Sequence, residues 1–528
     1  LNVEQDSAMP AFTPTQERFL QAVNAVAAAN PFLPELAEAE RAALGAEYID
    51  QGAHWSLQVD DPQKLRVNAW RICERLEASM PALRSRLFAL RGVLSDQDAA
   101  VYEGAVVYML YHRYYPRLVE ELGAQRSGER PVRWGFYRDF ERDWREWLFP
   151  AESQPLTNYP AAHMFAFFFQ LVRAFHQIFE SIIGNSAPAA RLRAAVWQSI
   201  FTHDLQRYRR TLYPRMGDLV TLVTGPSGTG KELVARAIAL SRYVPFEPRT
   251  LRFEDDPASH FHPIHIAALT STLVESELFG HRKGSFTGAL QDRKGWLEAC
   301  PPLGAVFLDE IGELAPEVQV KLLRLIETRT FSAVGDSQPK RFQGKLIAAT
   351  NRDLAGEIRK GQFREDLYYR LCSDLIRTPS LRQQIDESPD VLRDLVHFLA
   401  ERIAGQEGVA LAAEAVAYIE ARLPSSYPWP GNYRELEQCL RNILVRREYV
   451  PASASAPAEG DDLFASALAG LLSADDLLRR YCTLVYSQTG SYEGAAERLG
   501  LDRRTVKAKV DAVLLAALRR RALQRNEA

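Results

Sequence analysis

The stretch LVTLVTGPSGTGKE, Leu219 to Glu232, decides how the middle of the chain folds. An apolar run of strand type meets a glycine-rich loop, and an amphipathic helical segment follows. Glycines let such a loop curl until successive backbone N–H groups face a phosphate, with the positive end of the next helix behind them. Gly225, Ser227, Gly228, Thr229 and Gly230 supply the cradle, and Lys231 reaches the β- and γ-phosphates. A strict P-loop has Ser or Thr after the lysine, whereas Glu232 stands here. A carboxylate would repel phosphate, so Glu232 must point elsewhere, leaving Thr229 or water to complete a magnesium shell.

Two further strands fit the same sheet. AVFLDE, Ala305 to Glu310, is an apolar run ending in two acids, the form of a buried strand whose C-terminal end meets a ligand. Asp309 is placed to hold magnesium through water, and Glu310 to polarise an attacking water. KLIAATN ends at Asn351, which with Thr350 is placed to feel a γ-phosphate. His262–Leu269 is a fourth strand candidate. Alternating strands and helical segments of this kind make a parallel sheet with helices on its faces. In FREDLYYRL, Arg364 and Arg370 lie too far along the chain to extend the pocket simply. A guanidinium supplied from a neighbouring subunit would stabilise charge during phosphoryl transfer.

GHRKGSFTGALQDRKG, Gly280 to Gly295, sets Phe286 among glycines in a segment too polar for a core. Glycines at both ends let a short loop rise or fold, and an aromatic tip makes contact area at little entropic cost.

Taken in order, GPSGTGKE, ESELFGHRKGSFTGA, GAVFLDEIGEL, AATNRDL, FREDLYYRL and WPGNYREL resemble the AAA+ domain of bacterial sigma-54-dependent activators. The resemblance runs from about Ile182 to Leu444. It implies a P-loop ATPase core with a helical lid, ATP and Mg2+ as cofactors, and Arg364 and Arg370 as fingers acting in trans. It implies Arg434 as a lid arginine that reads nucleotide state, and Glu232 is ordinary in that family. It also implies a hexameric ring, and a loop Gly284, Ser285, Phe286, Thr287, Gly288, Ala289 that engages sigma-54 RNA polymerase holoenzyme. An AAA+ motor remodelling another protein is the alternative. Three departures stand out: His265 where the family has Asn, a long connection Arg242–Pro263, and SLRQQIDESPD in place of a PLRER-type sequence.

The whole chain of 528 residues has a net charge of −3 and 47% hydrophobic residues, too long for one core and globular in make-up. The implied organisation is multidomain: a mostly helical N-terminal domain (1–178), the α/β core (179–380), the lid (381–450), a linker (451–462) and a small helical unit (463–528). The N-terminal third holds five of eight tryptophans. Its aromatic spacing reads better as a helical core than as a ligand pocket. The resemblance makes this region the regulatory input. AAHMFAFFFQLV, Ala161 to Val172, is too short to span a bilayer and reads as a buried or dimer-forming helix. The beginning of the chain has no apolar leader run, and five scattered cysteines argue for a reducing cytoplasm rather than disulfides or zinc.

SYEGAAERLGLDRRTVKAKVDA, Ser491 to Ala512, has the make-up of a helix-turn-helix. Ala495, Ala496 and Leu499 give a packed face, Gly500 permits the turn, and Asp502 can cap the second helix. That helix presents Arg503, Arg504, Thr505, Lys507 and Lys509. From Asp502 onward eight basic against three acidic residues give +5, the local footprint of double-stranded DNA binding. It resembles the Fis-type module of the same family, which places the protein in the bacterial cytoplasm, at the nucleoid.

Overall fold

The structure is a computed structural model that describes residues 11–51, 67–89, 94–126, 133–151, 154–255, 260–388, 390–451, 473–511 and 514–515. The chain divides into two compact units, Leu1–Arg441 and Asn442–Ala528. The linker expected at 451–462 lies, beyond Pro451, outside the described residues.

The first unit opens with helices α1 (Pro14–Ala28), α2 (Glu35–Leu44), α3 (Val67–Ala89), α4 (Asp96–Arg126), α5 (Tyr137–Leu148), α6 (Ala161–Ser181) and α7 (Ala187–Phe201), then a short α8 (Leu205–Arg207). Local sequence starts them. Thr13 and Gln16 form a reciprocal capping box with Pro14 in the first turn, and the Ser186 hydroxyl accepts from Ala189 N. Helix α6 is the apolar run read from the sequence. Met164 to Ala174 are buried along it without a break, so it is an internal helix of its own chain. The expected 178/179 boundary falls inside α6.

The sheet and its helices follow: β1 (Thr221–Thr224), α9 (Lys231–Leu240), β2 (Phe246–Glu247), β3 (Arg252–Phe253), β4 (Phe261–His265), α10 (Ser271–Phe279), α11 (Trp296–Ala299), β5 (Ala305–Asp309), α12 (Pro316–Thr328), β6 (Thr330–Phe331), β7 (Lys340–Arg341), β8 (Lys345–Thr350), α13 (Leu354–Arg359), α14 (Glu365–Leu371) and β9 (Asp374–Arg377). Helices α15 (Leu381–Glu387), α16 (Asp390–Ala404), α17 (Gly408–Arg422) and α18 (Asn432–Arg446) come next. The order β4-β5-β8-β1-β9 is parallel throughout. The strand expected over His262–Leu269 stops at His265, and Ile266–Ala268 is a single 3-10 turn.

Alternation along the strands divides the two faces of the sheet. Val223, Phe307, Ile347 and Ile376 pack in one core with Val234 and Ile238 of α9 and with the N-terminal helices. Leu222, Val306, Leu308 and Leu346 pack in a second core with α10, α12 and α14. The N-terminal helices therefore take the place of a covering layer on one face, and α6 lies against α9, the helix that follows the glycine loop. Gln170 of α6 donates to Ser241 O at 2.9 Å, just beyond the end of α9.

The long connection Arg242–Pro263 has a structural role that its length alone did not reveal. It forms the β2–β3 hairpin, in which Phe246 and Phe253 face each other. Phe246 meets Tyr137 and Phe165 with ring centroids 4.8 Å away in both cases, and Phe253 meets Trp134 at 5.0 Å and Phe169 at 4.9 Å. Leu251 O accepts from Trp134 N at 2.9 Å. The hairpin is an aromatic plug joining helices to sheet. Replacing the buried Phe246 by Ala leaves a cavity there and is expected to cost about 3 kcal/mol. The urea midpoint of the full chain measures this. An unchanged midpoint would mean the hairpin does not hold the two layers together.

Candidate nucleotide site

At the C-terminal ends of the strands lies a cavity of about 530 Å³. It is lined by the glycine loop (Ser227 to Glu232), by Asp309 and Glu310, and by Tyr433, Arg434 and Glu437 of α18. Helix α18 closes it from the lid side. The Asn432 amide donates to Ser227 O at 2.9 Å, its carbonyl oxygen accepts from Leu381 N at 2.8 Å, and Tyr433 N donates to Gly228 O at 3.1 Å. This approach explains why position 228 is glycine: its φ is +76°, and a Cβ there would collide with the Gly431 carbonyl. Gly225 is pressed against Thr378 in the same way.

Lys231 is buried and donates to Gly225 O at 3.1 Å and Pro226 O at 3.2 Å. Burial lowers its pKa, against the raising influence of Glu310 and Asp309. The Thr229 hydroxyl donates to Pro226 O at 2.9 Å and meets the Thr378 hydroxyl at 2.6 Å. Its hydroxyl is thereby tied to the loop backbone and to the strand end that carries Thr378. Glu232 is exposed in the first turn of α9, where an acid is favourable near the helix's positive end.

The acids are arranged one against the other. Glu310 sits in left-handed backbone at φ 57°, a sparsely populated conformation for a side-chain-bearing residue. Its Oε2 accepts from Asn351 N at 3.1 Å, so Asn351 meets Glu310 through its backbone while its side chain stays exposed. Asp309 Oδ1 accepts from Glu310 N at 3.1 Å, and its Oδ2 lies 3.0 Å from Nδ1 of His265. His265 thus addresses Asp309, not Glu310.

Arg364 and Arg370 do not enter this cavity. Arg364 pairs with Asp366 at 2.6 Å, Arg370 with Glu327 at 3.1 Å, and both are exposed. Gln319 anchors the first of them by accepting from Arg364 N at 2.9 Å. Sequence reasoning missed the cavity's other wall. Ile182, Ile183 and Leu192 line it, with Arg402 from α16. Arg193 of α7, fully buried, holds that wall by donating to Ile182 O at 3.0 Å and Gly184 O at 2.6 Å. The apolar pair in IIGNS was visible, but nothing in its pattern tied it to a loop some forty residues away.

The loop carrying Phe286 is folded down. Phe286 is half-buried with its ring 4.9 Å from that of His281 in T-shaped contact, and Ala289 N donates to Phe286 O at 3.0 Å. Ser285 packs on Gly335, and its buried hydroxyl has no hydrogen-bond partner among the described residues. Thr287 and Gly288 are exposed, and Leu290 is 83% exposed.

Described by itself, the second unit has α19 (Ala474–Thr489), α20 (Tyr492–Leu499) and α21 (Arg503–Lys509) around Val485, Ala495, Ala496 and Val506. Gly500 takes the left-handed turn at φ 65°, and Asp502 accepts from Arg504 N at 2.7 Å. Arg503, Arg504 and Lys507 are exposed, while Thr505 and Lys509 are half-buried and Lys509 pairs with Asp475.

Residues 202–376 match the family model described as Sigma-54 interaction domain. The chain carries a sigma-54 interaction domain. The Nif-specific regulatory protein of Azotobacter vinelandii is 46% identical over 227 residues, 43% of this chain and 40% of that protein. The nitrogen fixation protein AnfA of the same organism is 34% identical over 344 residues, 63% of this chain and 57% of that protein. The match thus spans about two fifths of the first relative's length. A crystal structure of NtrX from Brucella abortus in complex with ADP aligns at 25% identity and a TM-score of 0.39, over 67% of this chain and 75% of that one.

Among the described residues no cluster of His, Cys, Asp or Glu could itself cage a metal ion, and no helix is long and apolar enough to cross a membrane. The site's fit to a magnesium–nucleotide rests on the glycine cradle, the buried ammonium and the two acids. Asn432 holds the loop and the lid in one register, so Asn432→Ala removes the donor to Ser227 O and leaves the buried Leu381 N–H without its acceptor. ADP affinity is expected to fall by about ten-fold, the equivalent of one such unmet bond. A fluorescent ADP analogue measures it, and unaltered affinity would dismiss the clamp.

Proposed function

We propose that the protein is an ATP-hydrolysing transcription activator. It binds upstream DNA, assembles as a hexameric ring and remodels the closed complex of sigma-54 RNA polymerase. The observation that carries this reading is the pairing of a complete nucleotide cavity with the Gly284–Ala289 loop inside a sigma-54 interaction domain.

Each step falls to a residue already placed. The Lys231 ammonium, held by two loop carbonyls, exchanges them for β- and γ-phosphate oxygens of the ATP substrate. Asp309 would hold magnesium through water, and the ion when bound would neutralise charge on the phosphates. Glu310 orients the attacking water and takes its proton. Its Oε2 already accepts from Asn351 N, which ties this carboxylate to the strand end where a γ-phosphate would be sensed, while Oε1 can take the water. Arg434 reads the nucleotide from the lid. Arg364 and Arg370, turned outward and paired with exposed acids, act on a neighbouring subunit's nucleotide, where guanidinium charge offsets that of the transition state.

The output is the fingertip. Phe286 leaves His281 and, with Thr287, touches the polymerase's sigma subunit. Residues 463–528 supply the DNA-binding helix-turn-helix, with α21 as the reader. Arg503, Arg504 and Lys507 make the outward contacts, and Thr505 and Lys509 lie at its margin.

Two variants separate the motor from the contact. Glu310→Gln is expected to bind ATP and lower turnover by at least about 100-fold, the scale of general-base loss. Thr287→Ala is expected to keep ATPase and lose open-complex formation with sigma-54 polymerase. Promoter opening by Thr287→Ala at the parental level would remove the loop from the mechanism.

A further inference from the structure

A second cavity, of about 550 Å³, lies at the other end of the sheet, where β1, β5 and β8 begin. Gly217 and Asp218 precede β1, Pro302 and Leu303 precede β5, and Lys345 opens β8. Gln170 of α6 and the connector residues Tyr208 and Tyr213 bring the N-terminal helices to its wall.

Its charge is one-sided. Arg242, Arg329, Arg341 and Lys345 line it, against the single acid Asp218. Asp218 is mostly exposed and only 3.6 Å from Arg329. Asp374, at the start of β9, acts on Lys345 from outside the lining, so four cations face two acids. The cations are held by carbonyls. Arg242 donates to Pro302 O at 2.9 Å and Gly304 O at 2.6 Å, and Arg329 to Gly217 O at 2.7 Å and Gly344 O at 3.2 Å. Lys345 donates to Leu219 O at 3.0 Å and Met216 O at 3.3 Å. Buried charges are ordinarily paired with opposite charge, because carbonyl dipoles repay only part of the lost hydration. Burial first, then Arg242 and Arg329, depress the Lys345 ammonium to about 8, and Arg329 adds to the effect of burial in lowering Arg242. The cluster repels itself.

We propose that this cavity binds a small phosphorylated anion carrying at least two negative charges, at the seam between the N-terminal helices and the sheet. Its volume suits a small molecule and excludes a macromolecular groove. Guanidinium forks beside an ammonium match phosphate oxygens better than a lone carboxylate. Tyr213 and Tyr243, with ring centroids 4.5 Å apart, offer an aromatic surface beside the charges. An occupant would touch α6, the connector and the starts of three strands whose other ends carry the glycine loop, Asp309 and Asn351.

The test must keep this site apart from the glycine loop. The full chain is saturated with ADP in magnesium-free buffer and titrated by calorimetry with inorganic pyrophosphate, and separately with AMP. One further equivalent is expected. Arg341→Glu at the exposed rim and Arg329→Gln inside should each weaken it by about ten-fold or more, the scale of one charged hydrogen bond. Lys231→Ala should leave it intact. Tighter AMP binding assigns the tyrosine surface to a base, and tighter pyrophosphate binding assigns the site to phosphate alone. No further equivalent, or one indifferent to both arginine variants, overturns the proposal. Arg341→Glu keeps it refutable should Arg329→Gln fail to fold, because Arg341 lies exposed on a two-residue strand.

Discussion

The lid rests on the glycine loop through the side-chain amide of Asn432 and the neighbouring backbone N–H of Tyr433. Asn432 is buried in left-handed backbone at φ 51°, and both ends of its amide are used, one on Ser227 O and the other on Leu381 N. The loop's backbone approaches the lid closely enough to exclude any side chain at position 228. Three things thereby become one: the shape of the phosphate cradle, the start of α15 and the position of Arg434. A loop that changes curvature around a phosphate must move Ser227 and Gly228. The lid cannot ignore that movement, because its anchors are those two carbonyls. The nucleotide site is in this sense a joint whose halves are hydrogen-bonded to each other before any ligand arrives.

The fold's legibility followed the period of each signal. Strands β1, β5 and β8 showed as short apolar runs ending in polar groups at one edge, and α6 as an apolar helix, because each carries its evidence within a few residues. The glycine loop, Asp309 and Glu310 meet in one cavity as their strand ends require. Contacts between distant segments were illegible. Nothing in PFEPRTLRF says that Phe246 and Phe253 belong to the aromatic core of α5 and α6. Nothing in ARLRAAV says that Arg193 will brace the wall of a nucleotide pocket. His265 was visible as a departure, but only the parallel register of β4 on β5 shows that it faces Asp309. The fingertip was legible as a loop and illegible as a state, since glycines license a raised and a lowered form alike.

The sheet itself gives the two ends of the molecule a common mechanical element. Parallel strands deliver all their C-terminal ends to one edge, so the glycine loop, the acids and Asn351 gather there. They equally deliver all their beginnings to the opposite edge, where Lys345 and the residues before β1 and β5 surround the basic cavity. The N-terminal helices reach both: Ser181 and Ile182, at and just beyond the end of α6, line the nucleotide cavity, and Gln170 from its middle lines the other. A shift of α6 along its axis would be felt at both edges. The β2–β3 plug is what keeps that helical layer in register with the sheet.

The lowered loop bears on how a nucleotide could move it. One aromatic contact of the Phe286–His281 kind is worth about 0.5–1.5 kcal/mol beyond the area it covers. Against this, the Ser285 hydroxyl is buried without a partner among the described residues, a burden of about 1–3 kcal/mol in this conformation. The ion pairs of Arg282 with the exposed Asp292 and the half-buried Asp336 are at the loop's base, away from its tip. Backbone hydrogen bonds from Gly284 N to Ala289 O at 2.9 Å, Ser285 N to Arg282 O at 3.2 Å and Ala289 N to Phe286 O at 3.0 Å stand on the same side as the aromatic contact. A ligand that moved the loop would need a differential interaction larger than their sum less that burden. An alanine at position 285 would carry no such burden in this conformation, so the hydroxyl is a cost that the packing of the rest of the loop must offset.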